Sequence, residues 1–252
     1  MMVDRGLAES RAAAQRLVMA GRVRVDEEPV TKPSQRVGPG EEIRLEPGPR
    51  YVSRGGEKLA HALEAFPIEV EGKICADVGA STGGFTDCLL QHRAARVYAL
   101  DVGRGLLHWR LREDPRVIVM EGVNARYQPQ MPEGIQIATI DAAFISLELL
   151  MPVVRGWLVA GGQLVALIKP QFEAGRESVG KQGVVRDPAV HRRVVEKILS
   201  AASSTGLTPQ GVLRSPLIGP KGNAEFLLWC VMDGPVFPLE EQLLALFAAA
   251  AG

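Results

Sequence analysis

Four ionisable residues, Lys58, Asp141, Lys169 and Glu225, fall where one reaction could use them together. Lys169 directly follows the apolar run Gln163–Ile168, Asp141 sits at the end of a strand-like run over 137–142, and Glu225 opens the apolar stretch that ends at Met232. Lys58 lies in a helical segment, Glu57–Phe66. A lysine at the end of a buried strand is costly unless an opposite charge compensates it. Asp141 could do that, and a single lysine–acid pair is more often structural than catalytic. Four such groups at separate strand ends, or beside one turn, suit a sharper task. They could draw a proton from a poor nucleophile such as a hydroxyl, or stabilise the alkoxide that develops. In that scheme Lys169 is the working amine, Asp141 and Glu225 orient it, and Lys58 helps to hold the hydroxyl.

A second pattern supplies a candidate for the other reactant. Asp77, Gly79, Ser81, Thr82, Gly83, Gly84, Phe85 and Thr86 form an Asp-x-Gly-x-x-x-Gly-Gly turn between an apolar strand and a helix. Glycines there let the backbone turn sharply and approach a ligand, and a helix N-terminus offers free N–H groups. The spacing is not the Gly-x-Gly-x-x-Gly that cradles a pyrophosphate. The acid in its approach suits a positively charged ligand, and S-adenosylmethionine carries an ammonium and a sulfonium. Asp101, at the end of the second strand, could accept both ribose hydroxyls, and Asn124, past the third, could bond an adenine edge. A nicotinamide cofactor also has a ribose, so the turn and Asp101 leave that alternative open. With a sulfonium donor, the hydroxyl chemistry becomes methyl transfer to a ribose 2′-OH, with oxygen, carbon and sulfur held in line.

The elements needed to position these groups are legible as strands alternating with helices. Strands are expected over Ile74–Val78, Arg96–Asp101, Val117–Met120, Ile137–Ala142 and Gln163–Ile168, and then Leu207–Leu213 beside a last strand opening at Glu225. Such alternation implies an α/β domain, a parallel sheet with helices on both faces. Ahead of it, residues 1–50 form a smaller α+β unit. Ser10 caps a helix to about Ala20, Gly21 ends it, and short strands follow at Arg22–Asp26 and Glu42–Leu45. Residues 51–56 are expected to be a linker, and 57–252 the larger domain.

Composition narrows the remaining classes. A hydrophobic content of 46% supports a buried core, and the 29 basic residues balance the 29 acidic ones, so net charge gives no sign of a polyanion partner. Cys75, Cys88 and Cys230 have no metal-ligand spacing, and the four histidines form no HExxH-like pair. No metal site is expected, and the cysteines read as reduced core thiols of a cytoplasmic protein. Asp4, Arg5 and Glu9 interrupt any signal peptide. The most apolar stretch, Leu147–Ile168, is broken by Glu148, Arg155, Gly156, Gly161, Gly162 and Gln163, so no membrane span is expected.

Several motifs in one order resemble the TlyA family. They are Ser53–Leu59 (SRGGEKL), the turn Asp77–Thr86, Asp141–Leu147 (DAAFISL), Ile168–Glu173 (IKPQFE), Gly183–Pro188 (GVVRDP) and Gly222–Phe226 (GNAEF). The resemblance covers nearly the whole chain. It implies a Rossmann-like class I methyltransferase with a mostly parallel seven-stranded sheet, similar to FtsJ-like enzymes, behind an S4-like RNA-binding domain. It further implies S-adenosylmethionine as cofactor, a lysine–aspartate–lysine–glutamate tetrad on Lys58, Asp141, Lys169 and Glu225, and as substrate a cytidine ribose in ribosomal RNA within a ribosomal subunit. Only Met1–Arg5 precede Gly6-Leu7-Ala8, so the first helix of that domain is expected to be shortened.

RNA contacts are expected from Arg5, Arg11, Arg16, Arg22 and Arg24 in the first unit, from Arg54, and from the loop residues Lys181, Arg186 and Lys221. The bland alternative for each is a solvated face or a contact to a neighbouring helix. Two other functions compete with the enzyme: a membrane-active haemolysin, the family's other label, and a non-catalytic RNA-binding or ribosome-assembly factor.

Overall fold

The computed structural model describes residues 1–248, so the alanine-rich tail Ala248–Ala251, expected to be a frayed helix end, lies outside the described residues beyond Ala248. The chain divides into two compact units, Met1–Arg50 and Tyr51–Gly252.

In the first unit, residues 2–6 form turns rather than a helix. Helix α1 (Arg11–Met19) starts where Ser10 accepts a hydrogen bond from Ala13 N at 3.1 Å, satisfying one of the N–H groups a helix start leaves orphaned. It ends at Gly21, whose φ of +67° suits a residue without Cβ. Strands β1 (Val23–Val25), β2 (Glu28–Pro29) and β3 (Ile43–Leu45) form an antiparallel sheet in the order β2-β1-β3. Strand β2 was not expected, because its turn is Asp26-Glu27, both at positive φ, rather than the usual Asn-Gly. Val18 packs with Val23, Val25, Val30 and Ile43 into a small separate core.

The second unit carries the seven strands expected. In chain order its elements are α2 (Gly55–Ala65), β4 (Ile74–Val78), α3 (Gly84–Gln91), β5 (Arg96–Asp101), α4 (Trp109–Arg112), β6 (Val117–Glu121), β7 (Ile135–Ile140), α5 (Leu147–Arg155), β8 (Leu158–Ile168), α6 (Pro170–Glu173), α7 (Pro188–Ser204), β9 (Leu207–Arg214), β10 (Phe226–Met232) and α8 (Glu240–Ala248). The strand order is β6-β5-β4-β7-β8-β10-β9, parallel from β6 to β8, with β10 antiparallel to both neighbours. Side chains alternate between two cores. Cys75, Val97 and Ile137 pack with Leu59, Phe85 and Leu89 of α2 and α3. Ala76, Tyr98 and Ala138 pack with Leu150, Val194 and Ile198 of α5 and α7. All three cysteines are buried thiols outside any disulfide among the described residues, and burial pushes the Cys75 thiol up to about 12.

The chain builds β4, β5 and β6 outward in one direction, then returns to place β7 and β8 on the other side of β4. The loops leaving β4 and β7 touch at their first residues and then run apart, leaving a crevice at the carboxyl ends of these strands.

Two expectations need correction. The segment 51–56 is not a linker. Tyr51 is only 2% exposed within the α2–α3 core, Val52 N donates to Asp87 Oδ2 at 2.8 Å, and α2 already begins at Gly55. The strand expected from Gln163 begins earlier, at Leu158, and takes in Gly161 and Gly162, where Gly161 at φ +69° accompanies a register shift against β7. Polar, glycine-rich segments read as loops unless tertiary partners are known, and both segments owe their state to partners distant in sequence.

Gly56 gives a direct test. A Cβ there would overlap Cβ and Cγ of Tyr51. Gly56→Ala is expected to lower unfolding free energy by about 1–3 kcal/mol, read from urea denaturation. A linker would tolerate the methyl group.

Candidate active site

The crevice opens on a cavity of about 950 Å³, within the roughly 300–1,000 Å³ usual for small-molecule sites. Its floor is the turn after β4. Gly79 has φ +82°, and a Cβ on it would lie 2.8 Å from the Asp141 carbonyl oxygen. The bare backbone is thus what allows the loops after β4 and β7 to touch. Ser81 N donates to Asp101 Oδ2 at 2.8 Å, tying the turn to the end of β5. Gly79, Ser81, Thr82, Gly84, Phe85, Asp101 and Asn124 all line the cavity.

Asp77, Gly83 and Thr86 do not line it, which corrects their expected role as ligand contacts. Asp77 is fully buried beneath the turn, accepting from Thr86 Oγ1 at 2.7 Å and Thr139 Oγ1 at 3.0 Å. Burial pushes its carboxyl up to about 6, although both threonine bonds pull the other way. It braces α3 and β7 under the turn rather than meeting a ligand's charge. Gly83, at φ +97°, faces Leu107 and Leu111.

The far wall fits a nucleoside. Asp101 takes one backbone N–H on each oxygen, from Ser81 and from Gly103 at 2.7 Å, and keeps further lone pairs for hydroxyl donors. Asn124 accepts Arg126 N at 3.0 Å through Oδ1, which leaves its NH₂ to donate. Val102, Leu106 and Val123 add apolar surface. Glu121, unmarked in the sequence reading, shapes this wall. It accepts N–H groups from Gly105 at 2.9 Å, Leu106 at 3.1 Å and Leu107 at 3.3 Å, and pairs with Arg112. Its position at the end of β6, matching Asp101 at the end of β5, was the available signal. Those backbone bonds first, and then Arg112, hold its carboxyl down to about 2. These residues provide what S-adenosylmethionine would need: a ribose acceptor, an amide donor, apolar walls and a backbone cradle.

The four ionisable residues meet at the same cavity, as two ion pairs. Lys169 Nζ lies 2.5 Å from Asp141 Oδ1 and also donates to the carbonyls of Ala142 at 3.0 Å and Asp141 at 3.3 Å. Three acceptors match the three donors of an ammonium. Lys58 Nζ lies 2.5 Å from Glu225 Oε2. This corrects the expected geometry, since Glu225 engages Lys58 and not Lys169. Glu225 is buried, and its Oε1 has no hydrogen-bond partner among the described residues. A buried carboxylate oxygen left over in this way has capacity for a donor from a ligand.

Next to the pairs, Phe144 is 90% exposed at φ +63°, with its ring 5.0 Å from that of Phe172. Glu173 accepts from Ser146 Oγ at 2.6 Å and from Leu147 N at 2.8 Å, so the segments after β7 and β8 are joined beyond the Lys169–Asp141 pair. Arg54 is exposed at the cavity edge. Lys181, Arg186 and Lys221 are exposed on two loops outside the cavity lining. In the first unit, Arg11 and Arg16 stay exposed on α1, with no side-chain hydrogen bond or ion pair among the described residues. Arg5 donates to the Glu41 carbonyl, Arg22 to the Glu46 carbonyl, and Arg24 pairs with Glu46.

Comparison with known proteins shows the family. The FtsJ-like methyltransferase family model matches residues 51–231. The chain belongs to this family. An S4 domain model matches residues 1–43. The chain is 45% identical over 232 residues to the 16S/23S rRNA (cytidine-2′-O)-methyltransferase TlyA of Mycobacterium tuberculosis, covering 90% of this chain and 87% of that one, which places it among the TlyA proteins. It is 50% identical over 235 residues to a candidate rRNA methyltransferase, YqxC, of Bacillus subtilis, covering 90% and 83%. A solved structure of a candidate hemolysin from Streptococcus thermophilus superposes with a TM-score of 0.78 at 43% identity, covering 99% of this chain and 93% of that one.

Glu121 sets a pH dependence. Its folded pKa lies below the ordinary value of 4.5, so its contribution to stability is complete above that value and is lost as pH falls toward 2. The melting-temperature difference between wild type and Glu121→Gln is therefore expected to be constant above about pH 5.5 and to shrink as pH falls toward 2. Thermal scans of both proteins across that range check it.

Proposed function

We propose that this protein transfers a methyl group from S-adenosylmethionine to the 2′-oxygen of a cytidine ribose in ribosomal RNA. The observation that carries the reading is the Lys169–Asp141 pair, 2.5 Å apart on the rim of the cavity whose floor is the glycine turn. The names of the M. tuberculosis and B. subtilis relatives support the substrate class, and the S4 match supports RNA as partner. A substrate in ribosomal RNA or a ribosomal subunit places the protein in the cytoplasm.

Bound S-adenosylmethionine supplies an electrophilic methyl group. Gly79, Ser81, Thr82 and Gly84 would hold the cofactor through the backbone, Asp101 would accept its ribose hydroxyls, and Asn124 would donate to its adenine. Lys169 works on the ribose oxygen. Of its three bonds, the 3.3 Å contact to the Asp141 carbonyl is the longest and the one a substrate oxygen replaces most easily. The oxygens around it fix the direction of its N–H groups, which suits stabilising the alkoxide that develops. Asp141 fixes its direction and is the nearest carboxylate for the departing proton. Lys58, turned by Glu225, holds the hydroxyl from the other side. Arg11 and Arg16 of the first unit, together with Arg54, Lys181, Arg186 and Lys221, grip RNA phosphates.

The hemolysin name of the S. thermophilus relative raises a membrane-active reading. Among the described residues no helix is long and apolar enough to cross a membrane. Release of dye from liposomes by the purified protein would favour that reading.

Lys169→Ala is expected to lower transfer of tritiated methyl to rRNA by at least about 100-fold, while calorimetric binding of S-adenosylmethionine stays within about twofold of wild type. Full activity in that variant overturns the assigned chemistry. Mapping ribose methylation in rRNA from cells with and without the protein identifies the nucleotide.

A further inference from the structure

Two loops outside the cofactor end of the cavity carry three of the cationic side chains assigned to RNA. One runs over residues 179–186 and bears Lys181 and Arg186; the other runs over 215–225, bears Lys221, and delivers Glu225 to the cavity. They are far apart in sequence, yet one side chain joins them.

Asn223 is only 2% exposed. Its Oδ1 accepts Val185 N at 3.1 Å and its Nδ2 donates to the Gly183 carbonyl at 3.0 Å. An amide that accepts from one backbone group and donates to another has its orientation set by the network. Its own carbonyl accepts Gly219 N at 2.8 Å, closing the second loop on itself. Val185 is held from the other side as well, because its carbonyl accepts from His191 Nε2 at 2.9 Å. Val184 and Val185 are both buried, so the first loop is anchored rather than merely touched.

The seam has two consequences for the site. Lys221 sits at φ +61°, and its Nζ lies 3.9 Å from where a Cβ on Gly183 would be, so its ammonium rests over the other loop. At the other end, a Cβ on Gly219 would overlap Glu225 Oε1, so the closure that Asn223 completes through Gly219 runs directly against the carboxylate that turns Lys58.

We infer that Asn223 is a positioning residue that joins the Gly183–Arg186 loop and the Ser215–Glu225 loop into one rigid wall, registering the RNA-facing cations with the Lys58–Glu225 pair. The inference rests on the proposed RNA substrate and adds a part to it. RNA gripped by the cationic loops is thereby presented to the tetrad at a set distance, and the cofactor end, built from the strands β4, β5 and β6, does not depend on the seam.

The test is Asn223→Ala in the full chain, assayed well below its melting temperature. Expected are a fall in kcat/KM for rRNA of at least about tenfold, a dissociation constant for S-adenosylmethionine within about twofold of wild type, and amide hydrogen exchange at Val185 at least about tenfold faster. Unchanged kcat/KM overturns the inference, as does a cofactor affinity that falls in parallel, because either makes Asn223 an ordinary core residue. If Asn223→Ala does not fold, Asn223→Asp carries the same test. It keeps an acceptor for Val185 N but turns a carboxylate oxygen against the Gly183 carbonyl. Absence of methyl transfer by the wild-type chain would sink the substrate reading instead. The exchange rate at Val185 would then still judge the seam, and an unchanged rate would overturn it.

Discussion

An ammonium at the end of a strand as buried as β8 is stable only if oxygens surround it, and every oxygen around Lys169 comes from the first two residues after β7. The site therefore depends on parallel pairing of β7 with β8, which aligns Ile140 with Ala166 and brings Asp141 and Ala142 within reach of the lysine. Gly79 imposes the matching condition on the other side. Only a residue without Cβ lets the turn after β4 touch the Asp141 carbonyl, so the ligand cradle and the ion pair share one backbone contact. Removing either partner of such a pair leaves a partly buried charge without its counter-ion, which ties the chemistry of the site to the stability of the sheet.

Charge is distributed across the crevice by burial as much as by residue type. Asp77 and Glu121 are both acids at strand ends, yet burial raises one to about 6 and backbone N–H groups hold the other near 2. The first acts as a brace beneath the floor. The second fixes the loop that forms the nucleoside wall. Asp101 lies between these cases, with a backbone donor on each oxygen and its remaining lone pairs toward the cavity. Similar side chains at the ends of adjacent strands thus do three different jobs according to which backbone groups reach them.

The fold was largely legible because its signals are local. Ile74–Val78 and Arg96–Asp101 read as strands to the residue, since apolar runs of that length bounded by turns have few alternatives. The Ser10 cap was legible for the same reason: it bonds an N–H three residues on. What escaped notice depended on distant partners. Tyr51 and Gly56 look like linker residues until they pack on each other, and the glycines of β8 look like a turn until β7 lies beside them.

The sequence by itself determined which chemical groups are available and, through parallel-strand topology, that Asp141 and Lys169 belong at one rim, with the family resemblance adding Lys58 and Glu225. Only the tertiary structure decided how they pair. It assigned Glu225 to Lys58 rather than Lys169, withdrew Asp77 beneath the turn, and made Asn223 the joint between two loops. The physical reason is range. Periodicity and caps act over a few residues of chain, whereas an ion pair or a buried amide is chosen by distances of about 3 Å between side chains that only the packed sheet and its loops define.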